Sequence, residues 1–249
     1  MSLLLWASAA QAGAIVFDGF DMTTNFQANL TLAGNLQLIP DSVAADGSAF
    51  GDTAISTTSP FTYTFSYSIS NGADDYLGGS LGLADGLAFV LQNDTNGPST
   101  SGGNGYAIGY GGITPSLAIA LRTWATNDIE IDEDGNLGGS PSQLLTLNGG
   151  GNYGVTDTGT ITVSYDGVGT LTVTGTDNVA GDPAIDLSTS VNLATLLGPT
   201  AYVGFTGGSG SGWSDEEITS FSSMPEPSTA LLAIPALLGL AAWRRRRSA

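Results

Sequence analysis

The chain has no cysteine, no histidine and no lysine. Without cysteine it forms no disulfide, and without either residue it builds no zinc site of the usual kind. Ser-His and Cys-His nucleophiles are excluded for the same reason. Stability must come from the core, with a bound ion as the remaining device. Long amphipathic helices are also missing between the two ends. Positive charge is scarce: four of the five arginines are Arg244–Arg247. Setting aside that tail, which also holds Glu226, the body sets 22 acidic residues against Arg122 alone, a formal charge of −21. Such a body repels nucleic acid and anionic lipid headgroups, which need clustered Lys and Arg. Neutral sugars and cations remain as ligands.

What is present points to strands. Glycine is abundant, at 36 of 249 residues, and 41% of the chain is hydrophobic. Without its ends the chain keeps roughly 210 residues, which suits one large β-sandwich. Phe61, Tyr63, Phe65, Tyr67 and Ile69 alternate with Thr and Ser over nine residues, the period of a half-buried strand. Further strands are expected at 87–91, 117–122, 143–147, 160–165, 171–174 and 201–205. The pairs Asn71-Gly72, Asp134-Gly135 and Asp166-Gly167 read as turns between them. The last of these joins Ile161–Tyr165 to Leu171–Val173 as a hairpin. Together these give an all-β, two-sheet jelly roll.

The ends read as targeting segments. Residues 1–12 carry the apolar run Leu3–Trp6 and the small-residue site Ala10-Gln11-Ala12, the back half of a signal peptide whose basic start is missing. Cleavage there leaves Gly13–Phe17 as a first strand; a buried first strand is the other reading of this segment. At 224–249, Met224-Pro225-Glu226-Pro227 precedes an apolar helix at 229–243 and the four-Arg cluster. The helix is short for a full bilayer crossing, and the arginines fix its end on the cytoplasmic side. Pro-Glu-Pro, apolar helix and Arg cluster, in that order, resemble the bacterial PEP-CTERM sorting signal. That resemblance implies recognition by an exosortase, transient insertion in the inner membrane and delivery to the cell surface or the exopolysaccharide matrix. A plain C-terminal anchor would make the same first step.

Between the ends, residues 13–222 resemble the legume-type (L-type) lectins in four segments. These are Gly47–Phe50 with the aromatic strand at 61–69; Ala84-Asp85-Gly86-Leu87-Ala88-Phe89; Gly102–Gly105 leading into Ile108–Ile113 and Ser116–Ile119; and Val163–Gly167 with Val191–Leu193 and Ala201–Gly207. The resemblance implies a jelly-roll β-sandwich that binds carbohydrate without catalysis. It also implies that Asp85 follows a cis bond from Ala84 and accepts hydrogen bonds from sugar hydroxyls. Gly103 or Gly105 would donate a backbone N–H to the same sugar, Asn127 would join them, and the loop from Thr206 through Gly207 to Trp213 would set specificity. For Asp85 the plain alternative is a turn residue, for the glycines a flexible loop, and for Trp213 a place in the core.

One departure stands out. Where the family carries its Glu and Asp metal ligands, this chain has Ala120 and Arg122. Alternation puts Ala118, Ala120 and Arg122 on one strand face, so Arg122 would stand in for the ion as a fixed cation paired with Asp85 and Asp128. Downstream, Asp128, Glu130, Asp132 and Asp134 alternate onto one face. Oxygen ligands at Asp128, Asp132 and Asp134 suit calcium; a solvated acidic edge that blocks sheet pairing accounts for them equally. No transition metal is expected. Two rivals to a sugar-binding surface protein remain: a lectin fold kept as a structural matrix component, and a glycosidase, since Glu130–Asp134 resembles the E-x-D-x-E of laminarinase-like jelly rolls.

Overall fold

The computed structural model describes residues 22–31, 33–74, 82–124, 126–146 and 156–224. These fold into two antiparallel sheets, as the alternating strands require. The eight-stranded sheet contains β1 (Met22–Phe26), β4 (Asp46–Gly51), β5 (Ile55–Ser56), β7 (Gly86–Gln92), β8 (Ser116–Arg122), β9 (Asp128–Glu133), β10 (Ser142–Leu144) and β14 (Thr200–Gly208), in the order β1-β4-β14-β7-β8-β9-β10 with β5 paired to β14. The seven-stranded sheet contains β2 (Asn29–Leu30), β3 (Leu36–Ile39), β6 (Phe61–Asp74), β11 (Asp157–Tyr165), β12 (Thr170–Asp177), β13 (Ile185–Ser190) and β15 (Gly212–Met224), in the order β13-β12-β11-β6-β15-β3-β2.

Period-two alternation decides which face each side chain takes. Leu87, Phe89 and Leu91 of β7 enter the core between the sheets, together with Leu117, Ile119 and Leu121 of β8. There they meet Phe65, Tyr63 and Phe221 from the other sheet; the Phe65 and Phe89 rings stack with centroids 5.7 Å apart. Ala88, Val90, Ala118 and Ala120 point the other way, where Ile108, Tyr110 and Ile113 cover them. The glycine-rich segment therefore lies across the outer face of the eight-stranded sheet. On the outer face of the seven-stranded sheet, hydroxyls pair across β6 and β11: Thr62 with Ser164, Thr64 with Thr162 and Ser66 with Thr160, at 3.0, 3.0 and 2.9 Å.

The hairpin at Asp166-Gly167 forms as expected, with Tyr165 opposite Leu171. Asp166 Oδ1 accepts the N–H groups of Val168, Gly169 and Thr170. Asn71-Gly72 behaves differently: β6 continues through it. Ser70 pairs with Asp215 and Ala73 with Trp213, so two residues of β6 oppose Ser214. The positive φ of Asn71 (56°) is that of a bulge, not of a turn between strands. The strand expected at 143–147 ends at Leu144. A short helix, α1 (Leu193–Leu197), is capped by the Asn192 side chain, which accepts the Thr195 N–H. Among the described residues no helix is long and apolar enough to cross a membrane. The signal peptide at 1–12, the strand at 13–17, and the sorting tail beyond Met224 with its helix at 229–243 lie outside the described residues.

Candidate functional site

The loops at one end of the eight-stranded sheet converge on Asp85. The Ala84–Asp85 peptide bond is cis, as the A-D-G motif implied. Its surroundings come from both sheets. Ser214 of β15 donates its hydroxyl to the Ala84 carbonyl at 2.8 Å, and Glu216 Oε1 accepts the Gly86 N–H at 3.1 Å. The Asp85 N–H donates to Gly208 O at 3.0 Å, while its carbonyl accepts the N–H groups of Thr123 and Trp124 at 3.0 and 3.3 Å. Both peptide groups of Asp85, the Ala84 carbonyl and the Gly86 N–H are thus tied down, which leaves the Asp85 carboxylate as the chemical handle of the corner.

That side chain is 6% exposed, and its Oδ2 has no hydrogen-bond partner. Two glycines lie against it. A methyl group at Gly210 would stand 3.1 Å from Oδ2 and one at Gly105 would stand 4.0 Å from it. Burial pushes the Asp85 carboxyl up to about 6, against the pull of the Gly210 N–H. Glu216 is fully buried and goes further. Burial is the main cause of its rise well above the usual carboxylate range, and the Asp85 charge adds to it. Sequence reading missed Glu216, since Asp215-Glu216-Glu217 looks like a solvated acidic run.

The glycine-rich loop is closed on itself. Gly102 N–H donates to Gly109 O, Gly109 N–H to Gly103 O and Gly103 N–H to Gly111 O, at 2.7, 2.8 and 3.1 Å; Gly105 N–H donates to Ser209 O at 2.9 Å. The expected donors at Gly103 and Gly105 are therefore spent inside the protein. Their role here is close approach: Gly105 adopts φ 60° and sits against Gly210. Next to it, Tyr106 is 51% exposed and its ring lies over the Arg122 guanidinium, 4.4 Å from centroid to Cζ. This exposed aromatic beside Asp85 was not among the expected site residues.

Arg122 is buried at 2% exposure, one cross-strand position from Asp85, since Gly86 is its partner on β7. It does not pair with Asp85 or Asp128 as expected. Its Nη1 donates to Glu130 Oε1 at 2.7 Å. Burial works against the guanidinium charge and the Glu130 carboxylate outweighs it, so the Arg122 pKa rises. Asp128 takes the Thr126 hydroxyl at 2.8 Å instead.

The expected calcium ligands are not brought together. Asp128, Glu130 and Asp132 do share a face of β9, opposite Arg122, Ala120 and Ala118. Asp132 Oδ1 accepts the Gly139 N–H at 2.7 Å, and burial with the Glu130 charge pushes its carboxyl up to about 7. Asp134 has left the strand. It sits exposed in the turn with φ 54°, where Oδ1 accepts the Thr114 hydroxyl at 3.1 Å. Among the described residues no three acidic side chains form a metal-holding group.

Asn127 follows the loop that binds the Asp85 carbonyl; its φ is 51° and its Oδ1 is buried without a partner. Gly207 is not in a specificity loop. It lies inside β14, where a methyl group would stand 2.6 Å from Glu216 Oε2 and 2.9 Å from Leu38 Cβ. Trp213 likewise belongs to strand β15. Ser214 and Glu216 turn inward, so alternation turns Trp213 outward with Asp215 and Glu217, and it joins neither apolar cluster.

The sandwich matches solved structures over most of their length. Arcelin-5, a lectin-like defense protein from Phaseolus vulgaris, aligns with TM-score 0.66 and 20% identity over 82% of this chain and 92% of its own. The lectin from Bauhinia forficata in complex with GalNAc aligns with TM-score 0.65 and 21% identity over 82% and 93%. Lectin I-B4 from Griffonia simplicifolia, in a metal-free form, gives TM-score 0.63 and 21% identity over 88% and 96%. The fold is that of the legume lectins. No protein-family profile matches the sequence. At these identities the likeness is one of backbone, and the side chains of the site must speak for themselves.

Proposed function

We propose that this chain is an exported bacterial, non-catalytic carbohydrate-binding protein whose sugar site lies over Asp85. The observation that carries the reading is the Asp85 carboxylate: held by both sheets at the loop end of a legume lectin fold, with Oδ2 unpartnered between Gly105 and Gly210. An ionised carboxylate accepts hydroxyl donors and rejects anionic sugars. Neutral glycans are therefore the ligand class. Structural neighbours are described in complex with GalNAc and with galactose, which suits such a site. Tyr106 offers an exposed ring for the apolar face of a pyranose. The glycosidase alternative loses support because Glu130 is bound to Arg122 and Asp134 has left the strand. Export, exosortase processing and delivery to the cell surface or matrix rest on the sequences at 1–12 and 224–249.

A second reading has its own observation. Asp85 Oδ2 is covered, so a sugar reaches it only when Gly105 or Gly210 moves aside. A lectin fold serving as a structural matrix component would keep that cover shut. Glycan-array binding of the purified protein, with and without calcium, alongside Asp85→Asn, separates the two. Neutral glycans bound by the parent and lost in the variant support the sugar site; no binding under either condition leaves the structural role. Replacing Arg244–Arg247 with neutral residues tests the tail: normal surface maturation of that variant would overturn the sorting assignment.

A further inference from the structure

The loop end of the eight-stranded sheet holds more than the Asp85 corner. Among the described residues, positive φ falls on three that are not Gly, Asn or Asp: Phe26 at 55°, Ala44 at 52° and Ile108 at 45°. Phe26 ends β1, Ala44 lies between β3 and β4, and Ile108 follows Gly105–Ala107 in the glycine-rich loop. All three lie at this end. A left-handed backbone is unfavourable for such side chains, and strain of this kind collects where ligands bind.

Cross-strand register places Phe26 relative to the sugar site. It stands opposite Gly47, Gly47 opposite Gly207, and Gly207 opposite Leu87, two residues after Asp85. Phe26 and Asp85 are thus three strand spacings apart, or about 14 Å. That is longer than one pyranose ring.

The loop from Asp41 to Ala45 bridges the interval, and it is fastened. Ser209, fully buried, donates its hydroxyl to Ser42 O at 2.6 Å and accepts the Ala45 N–H at 3.1 Å. The Ala44 N–H donates to Gly210 O at 2.8 Å. Asn104, beside Gly105, donates its side-chain amide to Ala44 O at 3.2 Å. On the far side the Gln27 N–H donates to Asp46 O at 3.2 Å. A continuous platform therefore runs from Tyr106 to Phe26.

Apolar groups punctuate that platform. Phe26 is 75% exposed and Val43 47%, in line with exposed Tyr106. Gln27 and Asn104 are exposed between them. Phe26 combines a left-handed backbone with a hydrated ring, and it joins neither apolar cluster of the fold. Apolar faces and side-chain amides together suit a chain of sugars: the faces stack on pyranose rings and the amides pair with hydroxyls. Asp41 and Asp46 border the platform, and Arg122, the one cation among the described residues, is covered by Tyr106. Such a surface repels an anionic polymer and admits a neutral one.

We propose that the sugar site is one end of a longer track, and that its ligand is a neutral polysaccharide chain. The chain would run from Asp85 past Tyr106, over Asn104 and Val43, to Phe26. This extends the sugar site at Asp85 and depends on it. Asp85 accepts hydroxyls of one unit, the fastened loop supports the units that follow, and the Phe26 ring stacks on the last.

The test titrates the full chain calorimetrically with galactose, mannose and glucose, and with their neutral oligomers of two to six units. In the series that binds, affinity should rise roughly tenfold between one and four units and then level off. Phe26→Asn suits the left-handed backbone and removes the ring. It should lose most of that gain, bind the single unit as the parent does, and keep or raise Tm. Val43→Ser should lose part of the gain, and Asp85→Asn should weaken every length alike. A parent that binds one unit and gains nothing with length overturns the track and leaves the Asp85 site standing. A gain that survives Phe26→Asn and Val43→Ser overturns it too; its loss in Leu144→Ser would carry the chain across β10 instead, where Leu144 stands exposed opposite Asp128. A lower Tm in Phe26→Asn overturns it as well, because the ring would then belong to the fold. No binding at any length overturns the Asp85 site and the track with it.

Discussion

Arg122 passes over Asp128, which stands directly opposite it across the β8–β9 pair, and binds Glu130 two residues along the same face, Nη1 to Oε1 at 2.7 Å. Both residues are 2% exposed. Glu130 also accepts the Gly138 N–H at 3.0 Å, so the pair ties β8 to the loop after β9. Arg122→Met should cost on the order of 3–5 kcal/mol, because it leaves a buried carboxylate with one neutral donor. Arg122→Met with Glu130→Gln should recover most of that. Urea unfolding of both singles and the double gives the coupling; a single-variant loss under about 1 kcal/mol would mean the pair is structurally idle.

Acidification should move binding and stability in opposite directions. The Asp85 carboxyl titrates at about 6 in the folded protein, raised by burial from 3.8. A raised carboxyl favours folding while protonated, so its stabilisation is full below about 3.8 and fades as pH rises through 6. For Asp85 alone the span is about 3 kcal/mol. In EGTA, Tm should therefore rise from pH 8 to pH 5, with Glu216 contributing in the same sense. Sugar affinity, which needs the ionised acceptor, should fall over the same interval. Affinity that is flat between pH 8 and pH 5 would remove Asp85 from the ligand.

Asp85→Asn keeps the shape of the side chain and removes its charge. Glycan affinity should drop at least 100-fold on a titration at pH 8, while thermal stability at that pH stays level or rises. A joint loss of binding and folding would instead mark Asp85 as a structural residue of its corner.

Gly207→Ala should be destabilising by about 2 kcal/mol or more, since the added methyl meets Glu216 Oε2 at 2.6 Å and Leu38 Cβ at 2.9 Å between the two sheets. Chemical denaturation checks this. A neutral effect would mean that β3 and β14 can separate without cost.

The parts of this molecule that were legible in the sequence are those set by local pattern. Unbroken alternation from Phe61 to Ile69 gave the central strand of the seven-stranded sheet, and Ala84-Asp85-Gly86 gave the cis corner. Glu216 was hidden because its burial depends on a corner 130 residues away, where Gly86 N–H needs an acceptor. Gly207 was misplaced for a related reason: Thr206-Gly207-Gly208 looks like a loop until the crowding on both faces of β14 is known. For Arg122, alternation named the correct face but could not choose between a direct and a diagonal partner. Asp134 continued the alternating run in sequence, yet its positive φ ended the strand first.

The burial of Arg122 also makes the molecule a reporter of its own opening. Between Met22 and Met224 there is one bond that a trypsin-like protease can recognise, Arg122–Thr123, because the chain has no lysine and its other arginines lie at 244–247. That arginine is sealed beneath Tyr106 and bound to Glu130. A protease can take hold of it only when the corner that carries Asp85 comes apart. The rate at which folded protein is cut in two therefore follows the population of that opened form. A glycan that closes over Asp85 should slow the cut in proportion to its occupancy, so a timed digestion measures ligand binding without any label.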